Sequence, residues 1–166
     1  MKSLIITHSG FQDQELIYPY HRLREVGLVF VVAEHSGPIR GILGVTMKCD
    51  SDLAFLYSAV VSDFDLLVVP GGVKAMEKLR QNKDAVEFVQ AWNLAGKRIA
   101  VLCSGAQLLI TARILRGRRI TTYPAMRVDV ENAGAEYIAA PVVVDHNIIS
   151  CPHYDHMAEW MVEVLK

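Results

Sequence analysis

Cys103 stands where a chain would place a nucleophile. The run Ile99 to Leu102 is apolar throughout, reads as a buried strand, and stops at Cys103. Leu108, Leu109, Ala112 and Leu115 then repeat at i, i+1, i+4 and i+7, which predicts a helix from just after Cys103 to near Gly117. A side chain on that strand-to-helix turn points over the carboxyl edge of a sheet, and the first free N–H groups of the helix point back at it. A thiol so placed can have its pKa lowered from about 8.5 into the range of roughly 3.5–7.5, giving a thiolate near neutral pH. The competing reading is a thiol packed as a small hydrophobe, which is the reading given to Cys49.

Other chemistry-bearing residues also fall just after apolar runs. Gly71 and Gly72 end the run Leu66 to Val69 through Pro70; their N–H groups, with that of Ser104, could form an oxyanion hole, or the pair could be an ordinary turn. Glu15 opens the helix after the first strand. There it serves either as a dipole partner or, if aimed at Cys103, as a proton-sharing general acid/base. Cys151-Pro-His153-Tyr-Asp155-His156 follows the final strand. Glutaminase-type cysteine enzymes place a His-x-Glu there to complete a triad, and by that analogy His153 is the base and Asp155 its orienter. A metal site from His153, His156 and Cys151 has no spacing precedent, so neither a metal nor another cofactor is expected.

These positions require an alternation of buried strands and helices. Lys2 to Thr7 is an apolar run. Asp13 to Glu25 carries a helical stripe (Leu16, Ile17, Tyr20, Leu23) interrupted by Pro19, which implies a kink or a late helix start. Leu28 to Ala33 is the next strand, and Thr46 to Cys49 reads as an edge strand or hairpin arm. Helices are predicted over Ala75 to Leu79, Ala85 to Leu94, Met126 to Asn132 and Asp155 to Leu165, and strands over Val142 to Asp145 and Ile148 to Ser150. The class that follows is α/β, a doubly wound, mostly parallel sheet with helices on both faces and a site at the carboxyl ends of its strands.

At 166 residues and 52% hydrophobic content the chain fits one domain, 1–166. With 17 basic and 18 acidic residues giving a net charge of −1, it offers no electrostatic footprint for nucleic acid or a membrane surface. No Walker loop or G-x-G-x-x-G fingerprint supports nucleotide binding. The short apolar N-terminal run and three widely spaced cysteines imply a cytoplasmic protein with reduced thiols.

Four segments together resemble the ThiJ/PfpI superfamily (DJ-one-like proteins), most closely its PfpI branch of intracellular proteases and stress proteins. They are Gly10 to Gly27 (GFQDQELIYPYHRLREVG), Val68 to Gly72 (VVPGG), Ala100 to Leu109 (AVLCSGAQLL) and Leu115 to Pro124 (LRGRRITTYP). The resemblance implies a flavodoxin-like sandwich and an oxidation-sensitive nucleophile at Cys103. It also implies a carboxylate partner at Glu15, backbone donors near Gly72 and Ser104, a pocket residue at Tyr123, and a homo-oligomer of two or more chains. Three departures stand out: Ser104 replaces the histidine that follows the cysteine in protease-like members, Gln12 replaces a common glutamate, and the Cys151 segment differs. Any base must then come from Glu15, from the His153 loop, or be missing altogether.

The function expected is a stress-related enzyme using a Cys103 thiolate on reactive carbonyls, in a glyoxalase or deglycase role. Two alternatives remain open. One is peptide or amide hydrolysis with His153 and Asp155. The other is a non-catalytic redox sensor or holdase chaperone, in which Cys103 is oxidised to a sulfinate and Cys151 serves as a resolving thiol. The expected partners are a small-molecule carbonyl or a peptide.

Overall fold

In the computed structural model, which describes residues 1–166, strand β1 (Lys2–Ile6) leads into helix α1 (Asp13–Arg24) and strand β2 (Leu28–Ala33). Strands β3 (Gly37–Arg40) and β4 (Thr46–Cys49), a short β5 (Ser51–Asp52) and helix α2 (Phe55–Ser58) follow. Then come β6 (Leu66–Val69), α3 (Val73–Leu79), α4 (Lys83–Leu94), β7 (Arg98–Leu102), a 3-10 turn over Cys103–Gly105 and α5 (Ala106–Thr111). The chain closes with β8 (Arg119–Ile120), α6 (Arg127–Asn132), β9 (Glu136–Tyr137), β10 (Val143–Asp145), β11 (Ile148–Cys151) and α7 (Met157–Val164).

A seven-stranded sheet runs in the order β10-β11-β7-β6-β1-β2-β5, parallel except for the edge pair β10 and β11. Its middle strands have apolar side chains on both faces: Leu4 to Ile6, Leu66 to Val69 and Ile99 to Leu102 are at most 1% exposed. Such strands persist only if both faces are covered. Helix α1 packs beside α7, while α4 packs beside α2 and α5. The Trp160 indole of α7 donates to the Ile149 carbonyl, tying that helix to β11. The direction of winding reverses between β1 and β6, the place where open α/β sheets put their ligands.

Of the two readings of Pro19, the late start does not hold: Pro19 lies inside α1, which starts at Asp13. The helix after Cys103 does not run to Gly117; it ends at Thr111. Arg113 takes φ +57°, its N–H donates to the Ile110 carbonyl, and the Ile114 N–H donates to that of Leu109. This is a Schellman stop with arginine in the position usually given to glycine. Leu115 is buried all the same, carried there by the loop. Thr46–Cys49 is a hairpin arm, paired antiparallel with Gly37–Arg40 outside the main sheet.

Candidate active site

The four adjacent parallel strands β11, β7, β6 and β1 end at one edge; the segments after the first three deliver His153, Cys103 and Gly71, and the first turn of α1, which follows β1, delivers Glu15. Cys103 has φ +54°, a left-handed conformation that costs a non-glycine residue roughly 1–2 kcal/mol. Its surroundings hold it there. The Thr122 hydroxyl donates to the Cys103 carbonyl at 2.7 Å, and the Tyr123 N–H reaches the same oxygen at 3.5 Å. Gly105 is required behind the turn, because a Cβ on it would lie 2.5 Å from the Val69 carbonyl oxygen. The strained turn presents the sulfur to a cleft of about 260 Å³ lined by Gln12, Glu15, Ile42, Gly72, Val73, Ser104, Tyr123, His153 and Tyr154.

Glu15 is fully buried. Its Oε2 accepts the Gly71 N–H at 2.8 Å, while Oε1 has no protein partner with full hydrogen-bond geometry. Loss of solvation pushes its pKa from 4.5 up to about 7, only partly offset by the Cys103 thiol and the Gly71 N–H. Burial, followed by the neighbouring Glu15 charge, holds the Cys103 thiol well above its ordinary range. The Ser104 N–H and hydroxyl pull the other way and are outweighed. Burial and the neighbouring carboxyl thus act against the thiolate expected from helix position alone.

The glycine pair serves a different purpose from the one expected. The Gly71 N–H is committed to Glu15, and the Gly72 N–H donates to Ser104 Oγ at 2.9 Å, so neither is free for an oxyanion. Gly71 is instead needed for space: a Cβ there would sit 2.3 Å from Glu15 Oε2 and 2.9 Å from the Cys103 Cβ. Gly72 has φ +109°, which favours glycine. Ser104, next to the thiol, acts to lower its pKa.

His153 lines the same cleft, its side chain 31% exposed, and makes no hydrogen bond to Cys103. Its Nδ1 lies 3.0 Å from Asp155 Oδ2 and also receives the Asp155 N–H at 3.4 Å. Asp155 is 69% exposed and off the cleft wall. Cys151 is buried and its thiol donates to the His153 carbonyl, so it braces the loop; burial pushes its pKa up to about 12. All three cysteines are free thiols. No group of three or more His, Cys, Asp or Glu side chains is arranged to hold a metal. Sequence reading named Gln12 only as a departure from the family pattern, and missed Ile42, Val73, Tyr154 and the brace Thr122. Only Thr122 carried a signal, standing next to Tyr123 in the segment TTYP.

No helix is long and apolar enough to cross a membrane. Deglycase PfpI of Pyrococcus furiosus is 42% identical, the match covering all of this chain and 98% of that protein. Deglycase PYRAB04690 of Pyrococcus abyssi is 44% identical over the same shares. General stress protein 18 of Bacillus subtilis is 36% identical over 86% of this chain and 83% of its own. Among solved structures, a two-domain Anabaena variabilis protein with DJ-1/ThiJ/PfpI-like and ferritin-like domains superposes with a TM-score of 0.93 at 33% identity, across 99% of this chain and 47% of that one. The profile of the DJ-1/PfpI family matches residues 1–166, and the chain belongs to that family.

Proposed function

We propose that this protein is a cysteine-dependent enzyme of the deglycase type acting on reactive carbonyls. The observation that carries the reading is the pairing of a strained elbow thiol with a fully buried carboxyl whose pKa lies at about 7. A thiol held neutral by its surroundings attacks only if its proton has somewhere to go as the bond forms. Glu15, ionised above pH 7 and coupled to the sulfur, is that acceptor. With an α-oxoaldehyde such as methylglyoxal, Sγ adds to the aldehyde carbon while the S–H proton passes to Glu15, giving a hemithioacetal once the new oxyanion is protonated. Glu15 then relays the C1 proton through an enediol to C2, leaving a thioester that water hydrolyses to lactate and free thiol. The net reaction is addition of one water, with no external oxidant or reductant.

Cys103→Ala is expected to abolish methylglyoxal consumption and lactate release; equal turnover in variant and wild type removes the reading. On family likeness we also place the protein in the cytoplasm as a dimer or larger assembly. Exposed apolar residues such as Leu43, Tyr57 and Leu94 are compatible with contacts between chains. A second reading, peptide or amide hydrolysis, draws support from His153 and its 3.0 Å contact with Asp155. Unchanged peptidase turnover in His153→Ala removes that triad.

A further inference from the structure

The β3–β4 hairpin ends in Arg40-Gly-Ile-Leu-Gly-Val45, whose apolar side chains are mostly in solvent: Ile42 is 51% and Leu43 71% exposed. Burial cannot be what orders such a tip, and its own turn supplies only the Gly41 and Gly44 N–H bonds to the Val45 and Gly41 carbonyls. The remaining N–H groups are taken by the β1–α1 segment. The Ile42 N–H donates to the Phe11 carbonyl at 3.0 Å. The Leu43 N–H donates to Asp13 Oδ2 at 2.8 Å and the Val45 N–H to Asp13 Oδ1 at 2.7 Å. Asp13 is 3% exposed. A first-turn acid ordinarily faces its own helix N-terminus; both oxygens of this one are spent on another element. Gly41 is packed so closely that a Cβ on it would lie 2.5 Å from the Asp13 carboxyl. The same segment is tied to the reacting groups, since the Gln12 N–H donates to the Gly71 carbonyl and Glu15 lies two residues beyond Asp13. Ile42 is the hairpin's contribution to the wall of the Cys103 cleft.

We infer that Asp13 is a positioning residue that sets substrate size: by clamping the hairpin tip it holds Ile42 as a fixed wall, so that only small carbonyl compounds reach the sulfur. The identity of those compounds rests on the proposed carbonyl chemistry. The wall itself is read on the thiol, without turnover.

The test compares Asp13→Asn, which keeps the shape but turns an amide NH2 towards one of the two N–H donors, with Ile42→Ala, which shortens the wall and leaves the clamp intact. Three quantities are measured: hydrogen exchange at the Leu43 and Val45 amides, Cys103 alkylation by iodoacetamide and by a pyrene maleimide, and kcat and KM for methylglyoxal and phenylglyoxal. Asp13→Asn is expected to speed exchange at both amides and raise the maleimide-to-iodoacetamide rate ratio about tenfold. Ile42→Ala is expected to raise the ratio similarly with exchange unchanged. In both variants the KM for phenylglyoxal falls more than that for methylglyoxal. A ratio that stays at the wild-type value in Ile42→Ala overturns the proposal, as does an Asp13→Asn enzyme that slows both reagents equally. Should Asp13→Asn fail to fold, Ile42→Ala alone decides. A wild type inert towards both glyoxals but showing the ratio shift removes the carbonyl reading and leaves the wall standing.

Discussion

Glu15 and His153 line the Cys103 cleft from elements that follow strands on opposite sides of β7, and they are held very differently. Glu15 is fully buried, anchored by a 2.8 Å bond from Gly71, and sits where any larger residue at 71 would collide with it. His153 is partly exposed, contacts an exposed Asp155, and makes no bond to Cys103. A group that must take a proton in the instant of attack needs fixed geometry and a pKa near the working pH. Glu15 has both. The contrast favours Glu15 over His153 as the proton acceptor of the proposed mechanism.

The strongest way to break this comparison is to remove each candidate base. Glu15→Gln keeps the shape and the Gly71 bond, and is expected to lower methylglyoxal kcat/KM at pH 8 by roughly 10²–10⁴-fold. His153→Ala is expected to cost less than about tenfold, the scale of a lost substrate contact. Alkylation separates proton transfer from electrostatics. The Cys103 thiol is held up by burial first and by Glu15 second, so Glu15→Gln should let iodoacetamide trap the sulfur faster at pH 8 even as turnover collapses. In the wild type, kcat/KM should rise through about pH 7 as Glu15 ionises, and this step should vanish in the variant. A His153→Ala enzyme that loses more than Glu15→Gln reverses the assignment.

Stability offers a second measure. The folded-state pKa of Glu15 is raised from 4.5 to about 7, so its protonated form stabilises the fold; that contribution is complete below pH 4.5 and is lost as pH climbs through 7. Relative to Glu15→Gln, which cannot ionise, the wild type should therefore lose about 3 kcal/mol of unfolding free energy between pH 5 and pH 9. Urea titrations at the two pH values check this. Parallel curves for the two proteins mean that Glu15 is better solvated than its burial implies, and the contrast with His153 fades.

How far the sequence reveals this arrangement depends on which physical signal each part leaves. Leu66 to Val69 and Ile99 to Leu102 are doubly buried strands ended by glycine, proline or cysteine, so they are plain in the sequence, and with them the edge that carries Gly71 and Cys103. The proximity of Glu15 follows from strand-edge logic once β1 is placed beside β6. The end of α5 leaves no such mark, because Arg113 takes a glycine conformation while Leu115 keeps the helical spacing. The allotment of N–H groups is equally hidden: whether Gly71 and Gly72 face an oxyanion or a side chain is settled by where Glu15 and Ser104 point. The hairpin tip leaves no clear periodicity, because its apolar residues are exposed and two of its N–H groups bond to a buried aspartate far away in sequence.

The elbow can be loosened without touching either candidate base. Thr122→Val removes the hydroxyl that donates to the Cys103 carbonyl at 2.7 Å and leaves that oxygen with the longer Tyr123 N–H contact. The expected loss is about 1 kcal/mol of stability, read from the shift in the urea midpoint at constant m. Turnover should fall several-fold, through kcat rather than KM, since what relaxes is the aim of the sulfur and not the cleft wall. A KM effect with kcat intact would place Thr122 in substrate binding instead.

The smallest effect belongs to the far end of the histidine loop. Asp155 is 69% exposed, and ion pairs in that setting contribute less than about 0.5 kcal/mol. The loop keeps its shape by other means: the Cys151 thiol bonds to the His153 carbonyl, and the His156 N–H bonds to that same carbonyl at 3.1 Å. Asp155→Asn should therefore leave stability and methylglyoxal turnover within about twofold of wild type, while Glu15→Gln does not. A triad would behave otherwise, because a base that loses its orienting carboxylate loses the correct tautomer and with it orders of magnitude in rate. If Asp155→Asn cuts turnover as deeply as Glu15→Gln, the exposed pair is the working base and the buried carboxyl only sets the resting state of the thiol.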